Sequence, residues 1–289
     1  MRYAAVDAMR ERYPLSILCE VLGVSRSGYH EWRDREPSRR QLANERLVSE
    51  IRVLHAQSYG SYGSPRIHAA LKRQGRSLGR ERVRRLMQEN EIVGRHRRKR
   101  CRTTDSNHKL PIAPNRLKQN FACEKPNRIW LTDISYLPTD EGFLYFAGMK
   151  DLCTKKLVGW SMSATIDAPL VVDALTMAYA RQQPSAGLIV HSDRGSQYAS
   201  GEFRDKLTEY RMCQSMSRRG NCYDNAPMES FFSSLKGEYL DPQHFATHAA
   251  ARAAVFTYVE TFYNPVRLHS SIGYRSPNEF EAMLTQEAA

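Results

Sequence analysis

Apolar positions along this chain recur at helical spacing in the first 120 residues or so and alternate as strands do afterwards. In 15–33, Leu18, Cys19 and Leu22 mark one helix face, Gly23 permits a tight turn, and Ser25 stands where it caps a second helix. Tyr29 and Trp32 give that second helix an inward stripe. This is the pattern of a helix-turn-helix, whose second helix commonly enters a DNA groove, and equally of a plain helical hairpin. Leu47, Ile51 and Leu54, then Ile67, Ala70 and Leu71, continue the amphipathic rule across turn material at 59–65. Ser77 is placed to cap a helix through Val83, Leu86 and Met87, whose polar face displays Arg80, Arg82, Arg84 and Arg85.

The back half predicts strands near 128–137, 143–151 and 157–164, and a helix at about 169–182 with Val171, Ala174, Leu175 and Ala178 on one face. A strand over 187–192, a helix at about 201–210, a short closing strand near 212–217 and a helix from 226 complete the order. Three strands, helix, strand, helix, strand, helix is the order of an α/β RNase H-like fold with a mixed five-stranded sheet, here preceded by an all-α region. Four segments follow: a helix-turn-helix-like segment over 1–40, a second helical DNA-binding unit over 41–94, a basic extended linker over 95–122, and a catalytic core with C-terminal helices over 123–289.

Charge follows the same division. The net charge is +12, yet residues 1–120 carry 27 Lys and Arg against 12 Asp and Glu, whereas 121–289 carry 16 against 19. A basic front and a carboxylate-bearing back fit one part that grips a polyanion and another that does chemistry on it. The densest basic run starts at Arg95 and includes Arg97, Arg98, Lys99 and Arg100. It reads as a solvated linker that contacts phosphates when DNA is present. The six cysteines form no CxxC pair and no zinc-type spacing, which fits a reducing cytosol. With no signal peptide and no apolar run of membrane-spanning length, a soluble intracellular protein without a membrane partner is expected.

Three acids carry the candidate chemistry. Asp133 lies in a strand-like run, Asp193 ends a second one just before Arg194 and Gly195, and Glu229 opens the helix from 226. A strand carboxylate is costly to bury unless a cation offsets its charge, and two strand aspartates with a helix glutamate suit a two-metal phosphoryl-transfer centre. Nearby, His191 faces substrate or simply packs, and Asn225 holds a phosphate, orients the glutamate or caps the helix. Gln197, Tyr198 and Tyr223 are placed to line a DNA groove, while Trp130 and Trp160 read as core, Asp151 as structural and Asp224 as a loop charge.

Trp130–Tyr136, His191–Tyr198, Ser217–Ser230 and Tyr263–Pro277, in this order, resemble the motifs of DDE transposases of bacterial insertion sequences, in the retroviral-integrase superfamily. More narrowly, the chain resembles the second-frame product of elements that encode their transposase in two overlapping frames. The family separates its second Asp from its Glu by 35 residues, as Asp193 and Glu229 are here, and places Lys or Arg seven positions on, where Lys236 stands. Ser135 departs from a frequent threonine. The resemblance implies Mg²⁺-dependent cleavage and 3′-OH strand transfer at element ends, with Mn²⁺ able to substitute. Two ions per site are expected, one held by Asp133 and Asp193 and one by Asp133 and Glu229, with Lys236 on a DNA phosphate. Implied partners are double-stranded DNA of the terminal inverted repeats and target, a homo-oligomer on DNA, and the first-frame product, in the bacterial cytosol or nucleoid. An RNase H-type nuclease without strand transfer, or a non-catalytic DNA-binding regulator of transposition, would share many of these features.

Overall fold

A computed structural model describes residues 1–95, 110–218 and 222–288, with the side chains of Cys222, Tyr223 and Ala288 left aside. The expected DNA contacts Arg97, Arg98, Lys99 and Arg100, and the Tyr223 side chain, lie outside the described residues. Two compact units are present, Met1–Arg52 and Val53–Ala289. No helix among the described residues is long and apolar enough to cross a membrane.

The first unit contains α1 (Arg2–Met9), α2 (Leu15–Val21) and α3 (Arg26–Asp34), closed around Val6, Leu18, Cys19 and Tyr29. Gly23 takes a φ of +62° between α2 and α3, a left-handed turn that suits glycine. Ser25 caps α3 as its position predicts, its Oγ accepting from the Gly28 N–H at 3.1 Å. Trp32 departs from the inward stripe: Tyr29 fills the core position, and Trp32, 38% exposed, lies over Tyr3 at the rim. α4 (Arg39–Gln57) runs across the boundary at residue 52 with Leu47 and Ile51 buried.

The second unit begins with α5 (Ser64–Arg73) and α6 (Arg80–Glu89), which pack on each other through Ile67, Leu71, Val83, Leu86 and Met87. Ser77 does not cap α6; Gly79 stands at the N-cap without a side-chain bond, because the helix starts later than Ser77 could serve. On the arginine face Arg80, Arg84 and Arg85 are exposed and Arg82 is half-buried, with Arg84 paired to Glu81 and Arg85 3.6 Å from Glu89.

β1 (Ile129–Thr139), β2 (Gly142–Asp151), β3 (Leu157–Ser163), β4 (Ile189–Ser192) and β5 (Cys213–Met216) form one sheet in the order β3-β2-β1-β4-β5. The first three strands are antiparallel, and β4 and β5 run parallel to β1. Period-two alternation splits β1 between two layers. Trp130 and Ile134 face the core beneath α7 (Ala168–Gln182) and α9 (Gly201–Glu209), with Val190, Phe203 and Met216. Gly159 lets α7 close on β3, since a Cβ there would stand 2.4 Å from the Ala174 carbonyl oxygen. Phe146 marks the opposite face, meeting Phe231 and Phe232 of α10 (Ala226–Leu235), which also packs on β1. α8 (Ser196–Ala199) is a single turn after β4. α10 runs on as a π turn, Lys236–Leu240, and α11 (His248–Phe256) as another, Thr257–Tyr263, before α12 (Pro277–Ala288). The connector at 110–120 lies along the outer strand β5: the Arg116 N–H donates to Ser215 Oγ at 2.9 Å, which covers an edge otherwise open to pairing.

Candidate active site

The parallel pairing of β1 with β4 sets Leu131 opposite His191. Two residues further along stand Asp133, within β1, and Asp193, just past the end of β4, so the parallel register carries the two aspartates to the same level of the sheet. β1 is also where the sheet changes from antiparallel to parallel partners. Each carboxylate is oriented locally: Asp133 Oδ1 accepts from the Ile134 N–H and Asp193 Oδ1 from the Gly195 N–H, both at 2.9 Å.

α10 brings Glu229 toward this pair. Asn225, at the N-cap of α10, caps nothing with its side chain; instead its Nδ2 donates to the Thr132 carbonyl at 3.0 Å, beside Asp133. Its Oδ1 is buried without a partner among the described residues. Gly148, directly across from Asp133, leaves room for Met228, whose Cε would be 3.4 Å from a Cβ at that position. Glu229 is itself exposed, and partial desolvation of its carboxyl raises its pKa. Lys236 opens the π turn, with Nζ 4.8 Å from the centre of the Tyr136 ring.

Burial, then the negative charge of Asp193 and more weakly Glu229, hold the Asp133 carboxyl well above the usual carboxylate range, against the pull of the Ile134 N–H and the Lys236 ammonium. Asp133 therefore feels the charge of both other acids. Among the described residues, however, no three Asp, Glu, His or Cys side chains are placed to hold a metal ion as a ready-made set. Asp133 and Asp193 are the level pair, and Glu229 stands at its edge.

That crowding has a consequence for stability. With divalent ions chelated, the folded chain keeps a proton on Asp133 over a pH range where the unfolded chain has released it. Stability then falls as pH rises from about 3.9 through the raised folded-state pKa. Asp133→Asn should remove this loss and melt above the parent protein at pH 8 in EDTA, at roughly 2–4 °C per kcal/mol relieved. A variant that melts below the parent there would show that the carboxylate is not crowded.

The other expected residues divide. His191 packs: it is buried, with Nδ1 2.8 Å from Ser215 Oγ and Nε2 3.0 Å from the Asp224 carbonyl. Tyr198 is wholly buried with its hydroxyl 3.0 Å from Thr132 Oγ1, so it belongs to the core and lines no groove. Gln197 Nε2 donates to the Ile166 carbonyl at 3.1 Å. Asp151 is structural, accepting from the Asn127 and Thr154 N–H groups, each at 2.7 Å. Asp224 is not a loop charge but a buried hub. It accepts from Asn115 Nδ2 and Gln119 Nε2, both at 2.9 Å, and from Arg218, whose guanidinium depresses its pKa. Its amide donors Asn115 and Gln119 sit 109 and 105 residues upstream, and Arg218 only six residues before it, so the local pattern shows one partner of three.

Residues 124–222 and 210–277 match the integrase core domain family, and 42–100 match an HTH-like domain family. The chain is 45% identical over 272 residues to the insertion element IS600 uncharacterized 31 kDa protein of Shigella sonnei, covering 94% of this chain and 100% of that protein. It is 38% identical over 283 residues to the transposase InsF for insertion sequence IS3A of Escherichia coli, covering 97% of this chain and 98% of that protein. Among solved structures, a simian T-cell lymphotropic virus intasome aligns with a TM-score of 0.46 at 16% identity, covering 80% of this chain and 74% of that one.

Proposed function

The chain belongs to the transposases of bacterial insertion sequences built on an integrase core domain, and from that premise we propose that Asp133, Asp193 and Glu229 form a centre that cuts and joins DNA strands at the ends of its element. The observation that carries this reading is the level placement of Asp133 and Asp193 on parallel strands, with Glu229 close enough to disturb the ionisation of Asp133.

Magnesium fits this donor set. The three carboxylates are hard oxygen ligands, Asp133 is held above its usual range by burial and then by its neighbours' charge, and the buried Asn225 Oδ1 lacks a donor among the described residues. Asp133 and Asp193 would hold one ion and Asp133 and Glu229 a second. Bound there, the ions supply activation of the attacking oxygen and stabilisation of the leaving 3′ oxygen for in-line displacement at phosphorus. Asn225 fixes the start of α10 to β1 and thereby sets the distance of Glu229 from the aspartates. Lys236, beside the same centre, is placed to take a phosphate of the reacting strand. Exposed Arg85 and Arg95 and half-buried Arg82 would meet the duplex flanks, and Gln197 would steady the turn after Asp193. Two ends must be held together for joining, so the active form is a homo-oligomer on DNA, with the first-frame product as a further partner.

An oligonucleotide carrying the element end with a labelled 3′-OH tests this. The label should move into plasmid in Mg²⁺ or Mn²⁺ and stay put in EDTA. Shortening of the oligonucleotide without joining would indicate a nuclease, and binding with neither reaction a regulator.

A further inference from the structure

Beside α10 a cavity of about 160 Å³ opens between Arg66 of α5, Lys150 of β2, Ser234 of α10, and Arg267, Ser270 and Ser271 from the chain ahead of α12. It is well below the roughly 300–1,000 Å³ of sites for organic ligands, so it suits one small group. Its walls are polar and its charge is unbalanced. Arg267 donates to Glu238 Oε2 at 2.7 Å and to Ser234 Oγ at 3.1 Å, and Arg66 Nη1 lies 3.8 Å from the same glutamate. Lys150, only 5% exposed, donates to the Pro227 carbonyl at 3.0 Å, one of the three donors of a protonated ammonium. Two guanidinium groups thus share one carboxylate, beside a lysine whose pKa is lowered to about 7 by burial and then by the charges of Lys155 and Arg267. The excess is felt locally: burial and the charges of Arg267, Lys150 and Arg66 push the basicity of His269, also on the cavity wall, below its usual range. Confined positive charge of this kind is costly until an anion enters.

We propose that this cavity receives one backbone phosphate of the DNA strand, held by Lys150 and the arginine pair with the serine hydroxyls at the mouth. The proposal rests on the strand-cutting reading of Glu229, for Ser230, the next residue on α10, lines the cavity, and a strand reaching the carboxylates would run past this part of the helix. The stretch from Tyr263 to Pro277 would then owe its composition to phosphate capture as well as to packing.

The test uses the full chain in EDTA, so that it does not depend on catalysis. In melting curves at matched ionic strength, inorganic phosphate should raise the Tm of the parent above that in chloride, and should not raise that of Lys150→Met. In fluorescence anisotropy with a duplex carrying the element end, Lys150→Met should bind about tenfold more weakly, as expected for one lost charged hydrogen bond. Its slope of log affinity against log salt should shrink by about 1. Ser271→Glu, an exposed change that places a negative charge at the mouth, should give the same two losses without disturbing the interior. An unchanged slope in both variants overturns the proposal. Loss of the phosphate effect with an unchanged DNA slope would mark a site for free phosphate and overturn the assignment to DNA. A parent that fails to join strands yet shows both losses would sink the catalytic reading and leave this one standing.

Discussion

Asp193→Asn should lower strand joining in Mg²⁺ by about 10³-fold or more, the scale of losing several kcal/mol of charge stabilisation, while duplex DNA binding stays close to that of the parent. The substitution keeps size and shape, and an amide oxygen can still accept from the Gly195 N–H that orients Asp193 Oδ1. What it removes is the charge next to Asp133. The Asp133 carboxyl, now relieved of its strongest charged neighbour, should ionise more readily, yet the pair would have lost half of its power to attract a cation. Joining and Mg²⁺-dependent thermal stabilisation should therefore disappear together. The measurement is single-turnover joining beside melting curves with and without Mg²⁺. Joining at parental rate by Asp193→Asn would remove Asp193 from the centre.

How far this site was legible in the sequence depends on how local its signals are. β1 and β4 could be read because both are apolar runs buried within the sheet, and their parallel pairing is what turns two distant aspartates into neighbours. Ser25 was legible as a cap because its partner is three residues away. Ser77 misled, since a serine before an amphipathic run competes with Gly79, whose backbone already sits in the extended conformation that an N-cap needs. Asp224 could not be read as a hub. Its value comes from Asn115 and Gln119, which are brought to it only when the connector lies down along β5. The position of Glu229 was half legible. Helical spacing places it on α10, but its distance from the aspartates is set by the Asn225 bond to Thr132 and by the gap at Gly148. The two π turns leave no periodic trace, because each adds a residue within a sequence that still reads as helix.

Glu238→Leu should be the most destabilising single change in the second unit, lowering the melting temperature by roughly 6–20 °C for a loss of about 3–5 kcal/mol. Glu238 is 7% exposed and answers Arg267, which donates to it through Nε at 2.7 Å and Nη2 at 2.5 Å. It also accepts from the Tyr258 hydroxyl at 2.7 Å. Removing it strands Arg267, 3% exposed, together with Arg66 and a tyrosine hydroxyl in a region with little water to solvate them. Removing Arg267 as well takes away the worst of that stranded charge, so Glu238→Leu with Arg267→Met should recover much of the lost stability. The single and double variants, melted side by side, give the coupling between the two residues directly. A double variant no more stable than Glu238→Leu would mean that the loss comes from shape at the π turn and not from charge. The same reasoning ties this ion pair to the neighbouring cavity: with Glu238 gone, phosphate should stabilise the single variant more than the parent, because the anion then answers charges that the glutamate no longer does.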